Sequence, residues 1–338
     1  MHRRTFLTSA IGIIGIERFG TALGASDSSS GRHPVRVVTG LRATLQSLGW
    51  IGTQAGVFKR HGLDVTFPKL ETGGPEAAAG LARDDWDFAE TGTSPLIQGV
   101  LDGRDTVILL TPTAPSTHGT SQILARPNIT EPKQLDGKRI GVLTETGQTT
   151  IRVRVALRKW AVSATLVPLG TFARVYEGIA KGEVDAGALS FDYRFIGPRQ
   201  FQLNIIEMPE TGFSSAAVGC TRKLIAANRQ VVGRLVEGYV EAIHFFKTRR
   251  SEAVPLLQQF LEFDDRSAVE EAYDFYATLF QPLPRPSDNG IKELLAEISR
   301  TNPAAAKVSV ESLVDLSFLD ELQRLGFVDR LYGTRRDR

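Results

Sequence analysis

Residues 35–71 read VRVVTGLRATLQSLGWIGTQAGVFKRHGLDVTFPKLE. The opening VRVVTGL is rich in β-branched side chains and predicts a strand. SLGWIGTQAGVFKRHG, residues 47–62, predicts a helix that stops at Gly62, since glycine just past the last periodic position ends helices. LDVTFPKLE then predicts a second strand, with Pro68 marking its end or a sheet edge. Moving outward, the alternation continues. GPEAAAGLARDD is a helix with proline near its first turn, WDFAETGT a strand, SPLIQGVLDG a helix and TVILLTPT a buried strand. Such alternation specifies a mainly parallel sheet with helices on both faces.

The pattern restarts after residue 120. SQILARP, KRIGVL, ATLVPLG, DAGALS and LNIIEM predict strands, and GQTTIRVRVALRKWA predicts a helix. TFARVYEGIAKGE predicts another helix, with Phe172, Val175, Tyr176 and Ile179 on one face. SSAAVGCT is a further strand. From Ala226 the chain is mostly helical, with Leu235, Val236, Tyr239, Val240 and Ile243 forming an apolar stripe. QPLPRPSDNG is a proline-rich connector before two last helices. The simplest architecture is two α/β lobes, the chain leaving the first and later returning to it. The expected layout is lobe 1 over residues 34–117, lobe 2 over 118–212, the return to lobe 1 with C-terminal helices over 213–333, and a tail over 334–338.

Ahead of this lies HRRTFLTSAIGIIGI. Its apolar run, Ala10 to Ile16, falls well short of the about 20 residues that span a bilayer. A basic head, a short apolar middle and the small-residue exit TALGAS predict a cleavable export signal over residues 1–25. Arg3 and Arg4 ahead of Phe6-Leu7 resemble the twin-arginine type; a ragged N-terminus with two chance arginines is the bland alternative. Cleavage near Ala25 leaves a polar spacer, residues 26–33, without a cysteine for a lipid anchor. The mature protein is then expected free in the periplasm.

The formal net charge is +2. Residues 1–25 contain Arg3, Arg4, Arg18 and Glu17, so removing them leaves a mature chain of zero net charge. That balance offers no electrostatic drive toward nucleic acid or a membrane surface. Cys220 is the only cysteine, which excludes an intrachain disulfide. No His/Cys/carboxylate spacing suggests a metal site, and neither a Gly-Lys phosphate loop nor a Gly-x-Ser-x-Gly elbow occurs. No cofactor is expected.

GWIGTQAGVFKRHGLDVTF, GTSPLIQGVLDG, ITEPKQLDGKRIGVL and GEVDAGALSFDY, in this order, resemble the nitrate, sulfonate and taurine type of solute-binding protein. The resemblance covers roughly Val35 to Leu331. It implies a type II periplasmic binding fold, with ligand held between two lobes joined by crossings placed near Ala114–Gln122 and Pro209–Ser215. It also implies an ABC permease in the inner membrane as partner, with the binding protein itself a monomer. Members bind sulfonates, nitrate, thiamin-precursor pyrimidines or aromatic acids, and the resemblance does not choose among them.

Independently of that resemblance, ligands of open α/β sheets bind beyond the carboxyl ends of the strands, where helix N-termini present free N–H groups. Strand by strand, this nominates Arg42, Thr44 and Gln46, then Thr93 and Ser94, then Thr113. In the second lobe it nominates Gly147, Gln148 and Thr149, followed by Ser190, Phe191 and Tyr193. Together they would hold a small organic anion. Gly147 lets backbone approach the ligand while Gln148 and Thr149 offer donors, in a turn that resembles the family's Gly-Ser-Ser anion turn. The competing reading is that Thr146 or Thr149, and Thr93 or Ser94, simply cap their helices. Arg42 offers a planar fork to a carboxylate or sulfonate, or else pairs with a nearby acid. Asp192 starts a helix and reads as structural. Trp50, with Val57 and Phe58 continuing its face, reads as core, as do Trp86 and Trp160.

The same fold resemblance includes enzymes, such as an aromatic sulfinate desulfinase with a cysteine in the cleft. Here Cys220 follows AAVG in a strand and reads as a small buried thiol. Of the histidines, only His118 lies near the expected cleft; His33 falls in the spacer, His61 at a helix end and His244 at the margin of an apolar helix. Binding without turnover is the expectation.

Overall fold

A computed structural model describes residues 31–70, 73–114 and 120–333. The export-signal residues, most of the spacer, His118 and the 334–338 tail lie outside these. Strand β1 (His33–Thr39) is followed by a short 3-10 turn at Thr44–Gln46, helices α1 (Leu48–Gln54) and α2 (Val57–Arg60), and strand β2 (Leu63–Thr66). The single helix expected over 47–62 is thus two. Gly56, at φ +68°, takes a left-handed conformation that breaks the ladder between them. Trp50 lies half-buried against the core that includes Phe58, as expected, its Nε1 donating to the Leu256 carbonyl at 3.3 Å. His33 belongs to β1, paired with Leu63, and not to the spacer.

Helix α3 (Gly74–Ala82), β3 (Phe88–Gly92), α4 (Thr93–Leu101) and β4 (Thr106–Leu110) complete the first run. The second run comprises β5 (Ser121–Ala125), β6 (Arg139–Val142), α5 (Gln148–Trp160), β7 (Thr165–Pro168), α6 (Phe172–Ala180), β8 (Ala186–Ser190), α7 (Tyr193–Phe201) and β9 (Asn204–Ile206). The chain then supplies β10 (Ala216–Thr221) and helices α8 (Arg222–Thr248, interrupted at Asn228), α9 (Arg250–Leu261), α10 (Arg266–Leu279) and α11 (Asp288–Ile298). Two further helices, α12 (Ser317–Arg324) and α13 (Phe327–Tyr332), close the described chain. Three α-helices therefore follow the proline-rich connector where two were expected. The turn at Gly326, φ +64°, divides the last pair.

The strands form two five-stranded sheets, ordered β2-β1-β3-β10-β4 and β7-β6-β8-β5-β9. The expected two-lobed α/β architecture is present, and each sheet is mainly parallel with one reversed strand. β10 runs antiparallel to β3 and β4, and β5 runs antiparallel to β8 and β9. The reversal has a simple cause. β5 and β10 are the strands that enter a sheet from the other lobe, so each begins at the edge where the parallel strands end. The register agrees: Ser121, first in β5, pairs with Ser190, last in β8, and Ala216, first in β10, pairs with Gly92, last in β3.

Side chains alternate across both sheets with the period of two expected of strands. In β1, Val35 and Val37 pack toward α1, α8 and α9, while Val38 packs with Ala77, Leu81 and Ile97 of α3 and α4. In β5, Ile123 and Ala125 join Val153 and Leu157 of α5, whereas Leu124 joins Val175 and Ile179 of α6. With both faces covered, the carboxyl ends of the parallel strands are left to form the cleft.

Candidate functional site

The loops leaving β1, β3, β6 and β8 meet between the two sheets. The N-caps of α4 and α5 are Gly92 and Gly147, and neither helix has a side-chain cap. This overturns the capping reading for Thr93, Ser94, Thr146 and Thr149, because a glycine cap leaves the first-turn N–H groups without an internal acceptor. One is met from the opposite lobe: Ser94 N donates to Gln148 Oε1 at 2.8 Å. Gln148 Nε2 in turn donates to the Ser214 carbonyl at 3.2 Å. A single side chain thus ties α5 to α4 and to the segment before β10. Glycine at 147 is set by crowding rather than by φ, which is an ordinary −68°. A Cβ there would lie 2.7 Å from Thr144 Oγ1, the acceptor of the Gly147 N–H.

Between these elements is a cavity of about 50 Å³. Gln46, Gly147, Gln148, Thr149 and Ser190, all nominated from sequence, line it. Ser121 and Ser190 face each other in the β5–β8 ladder, and both hydroxyls are buried without a hydrogen-bond partner. The decisive side chain is one that sequence reasoning passed over. Arg152 lines the same cavity, is only 3% exposed, and has a buried Nε with no partner. Among the described residues no acid pairs with it. Burial pushes its guanidinium down from the ordinary 12.5 to about 10, with a small opposing effect from nearby Tyr276. Its position has a local cause. Arg152 follows Gln148 by four residues, so the two share the cleft-facing side of α5 one turn apart. That spacing was the available signal.

A second chamber of about 200 Å³ adjoins the first, sharing Leu41 and Phe172 as walls. Its other lining residues include Leu70, Ala173, Tyr193 and Phe263, with Arg42 and Glu262. Arg42 forms an ion pair with Glu262, which also takes Lys69 Nζ at 3.2 Å. Of the two readings of Arg42, pairing with a nearby acid therefore describes what its fork does here.

The remaining nominated residues line neither chamber. Thr44 Oγ1 donates to Asp192 Oδ1 at 2.5 Å and its N–H to Oδ2 at 3.2 Å, so Asp192 binds one lobe to the other. Burial raises the Asp192 pKa against these hydrogen bonds. Phe191 turns away to stack on Phe275 of α10 at 3.9 Å. Thr113 forms a bridge with Phe280, and Thr93 and Ser94 keep buried, unpartnered hydroxyls. Cys220 is fully buried in β10, and burial pushes its thiol well up. Among the described residues no cluster of His, Cys, Asp and Glu is arranged to hold a metal, and no helix is long and apolar enough to cross a membrane.

Comparison with curated proteins finds no match. Among solved structures, a protein from Bordetella bronchiseptica RB50 aligns with TM-score 0.75 at 17% identity, covering 90% of this chain and 99% of that one. The alkanesulfonate-binding protein SsuA from Xanthomonas axonopodis pv. citri, bound to MOPS, aligns with TM-score 0.69 at 18% identity, covering 83% and 96%. The periplasmic nitrate-binding protein NrtA from Synechocystis PCC 6803 aligns with TM-score 0.66 at 12% identity, covering 87% and 89%. At such identities the likeness establishes a periplasmic-binding-protein fold. The family model described as "NMT1/THI5 like" matches residues 49–253, more than half of the sequence, and this chain belongs to that family.

Proposed function

We propose that this protein is the periplasmic solute-binding component of an ABC importer, closing its two lobes on a small organic anion and delivering it to a permease in the inner membrane. The observation that carries the reading is Arg152. A buried guanidinium without an acid is costly unless something negative completes it. Around it the described residues of the cavity supply neutral donors, among them the hydroxyls of Ser121 and Ser190 and the uncapped first turn of α5. One cation with helix N–H groups suits a single carboxylate or sulfonate. SsuA and NrtA, whose fold this chain shares, bind alkanesulfonates and nitrate respectively. Export through an N-terminal twin-arginine signal fits this role.

We also propose that binding occurs without turnover. Cys220 lines neither chamber, and its raised pKa is the opposite of what a nucleophilic thiolate needs. Calorimetric titration of the full chain with methanesulfonate, acetate and nitrate tests the anion reading. Saturable binding that is lost in Arg152→Met is expected. Equal affinity in wild type and Arg152→Met would remove Arg152 from the site.

A further inference from the structure

A third recess, of about 90 Å³, lies along the seam between the lobes. Its walls include Ser94 and Gln98 of α4, Arg154 and Arg158 of α5, Glu297 of α11, and Arg300 just beyond that helix. α4 and α11 belong to lobe 1 and α5 to lobe 2, and none of these six residues lines either chamber of the cleft. Arg154 follows Arg152 by two positions, about 200° around the helix, so α5 turns one arginine into the cleft and the next away from it. Three arginines face a single carboxylate here, and positive charge exceeds negative by two. Glu297, with a side chain only 14% exposed, is already committed: it accepts from Arg158 Nη2 at 2.7 Å and lies 3.2 Å from Arg300 Nε. Among the described residues no acid pairs with Arg154. Ser94 adds a hydroxyl that is buried without a hydrogen-bond partner, on a residue only 2% exposed.

We infer that the seam recess is a second anion site, taking a doubly charged tetrahedral oxyanion, sulfate or hydrogen phosphate, on Arg154, Arg300 and the Ser94 hydroxyl. Guanidinium forks and a free hydroxyl are the donors that oxyanions select. Two surplus charges match a dianion, whereas a monoanion would neutralise only one of them. Size agrees, since room for one water takes about 10–15 Å³ and the recess is several times larger. Because the walls come from both lobes, an occupant ties α5 to α4 and α11. It thereby favours the joined arrangement in which Gln148 reaches Ser94 N. This last consequence rests on the reading that the lobes close on a guest; the site itself does not.

The test separates the seam from the cleft with Arg152→Met, which removes the cleft receptor. Calorimetry on that variant of the full chain uses sodium sulfate and sodium phosphate at about pH 8, with sodium chloride at equal ionic strength as control. At least one dianion is expected to bind saturably at one site and chloride is not; the tighter of the two identifies the anion. Arg154 is half-buried and Arg300 exposed, so glutamine at both leaves the core intact. Adding Arg154→Gln and Arg300→Gln should weaken dianion binding at least tenfold, as loss of charge-assisted hydrogen bonds does. For the tie to closure, methanesulfonate is titrated into wild type and into Arg154→Gln/Arg300→Gln, with and without sulfate. Competition for the cleft is common to both proteins, so the ratio of wild-type to variant affinity should rise when sulfate is present. Absence of saturable dianion binding in Arg152→Met, or binding that survives both glutamines, would overturn the seam site and leave the cleft reading intact. A ratio that sulfate does not move would overturn the tie to closure. Failure of methanesulfonate to bind wild type would count against the cleft reading, and the sulfate titration would still decide the seam.

Discussion

Arg152→Met keeps an unbranched apolar stem and removes the charge, and its effect on stability is as informative as its effect on binding. In the folded protein the guanidinium is pushed from 12.5 to about 10, chiefly by burial. At about 1.4 kcal/mol per pH unit, this corresponds to about 3 kcal/mol of unfavourable free energy carried by the ligand-free protein. The sign follows from linkage. A base with a depressed folded pKa is charged in both states at neutral pH, so the cost is present in full and is relieved only as pH rises past about 10. Methionine fills the space of the arginine stem without it. Urea unfolding in low-salt buffer at pH 7 should therefore show Arg152→Met more stable than wild type by about 1–3 kcal/mol, with unchanged m-value. Ligand should reverse the order. A bound anion at about 100 times its Kd adds about 2.7 kcal/mol to wild type and nothing to a variant that cannot bind it. A variant less stable than wild type without ligand, or one stabilised by anion as strongly as wild type, would refute the picture of an uncompensated charge awaiting a guest.

Gln148→Ala removes both of its cross-cleft hydrogen bonds, the one Oε1 accepts from Ser94 N and the one Nε2 donates to Ser214 O. At about 1 kcal/mol each, the loss should weaken ligand affinity roughly tenfold to thirtyfold by favouring the open state; unchanged affinity in calorimetry would show that closure does not use them. Glu90 is buried in lobe 1, where burial raises its pKa to about 7 against hydrogen bonds from Gly49 N and the Tyr239 hydroxyl. An acid raised in the fold favours the native state at low pH, so this contribution declines between about 4.5 and 7 as the unfolded chain ionises first. Glu90→Gln should flatten that slope in denaturation measured across the window, and a slope identical to wild type would rule the assignment out. Burial lowers the His61 pKa, but Glu237 and Glu241 outweigh it and leave the imidazole raised. Its stabilisation is complete below about 6.5 and fades as pH climbs through the folded value. His61→Ala should therefore reduce stability at pH 5.5 more than at pH 8.5, as thermal unfolding at the two pH values can show.

The alternation of strand and helix in residues 35–71 determined the lobe architecture, because β-branched runs and glycine stops act on their own few residues. The same local logic brought Gln46, Gly147, Gln148, Thr149 and Ser190 to the cavity, since each lies at the carboxyl end of a strand or in the segment that follows it. Local logic also has a boundary. Thr146 and Thr149 have the chemistry of helix caps, yet the chain placed Gly147 at that position and left the N–H groups for something else. Phe191 sits in the correct loop, but Phe275 of a distant helix draws its ring away. Arg42 is neutralised by Glu262, far along the chain. Only tertiary structure decided these, together with the reversal of β5 and β10 and, above all, the isolation of Arg152. Whether a charge is costly depends on which distant segments bury it and whether any of them brings an opposite charge. No window of sequence contains that sum, so the one side chain that defines the site emerged only when both lobes were in place.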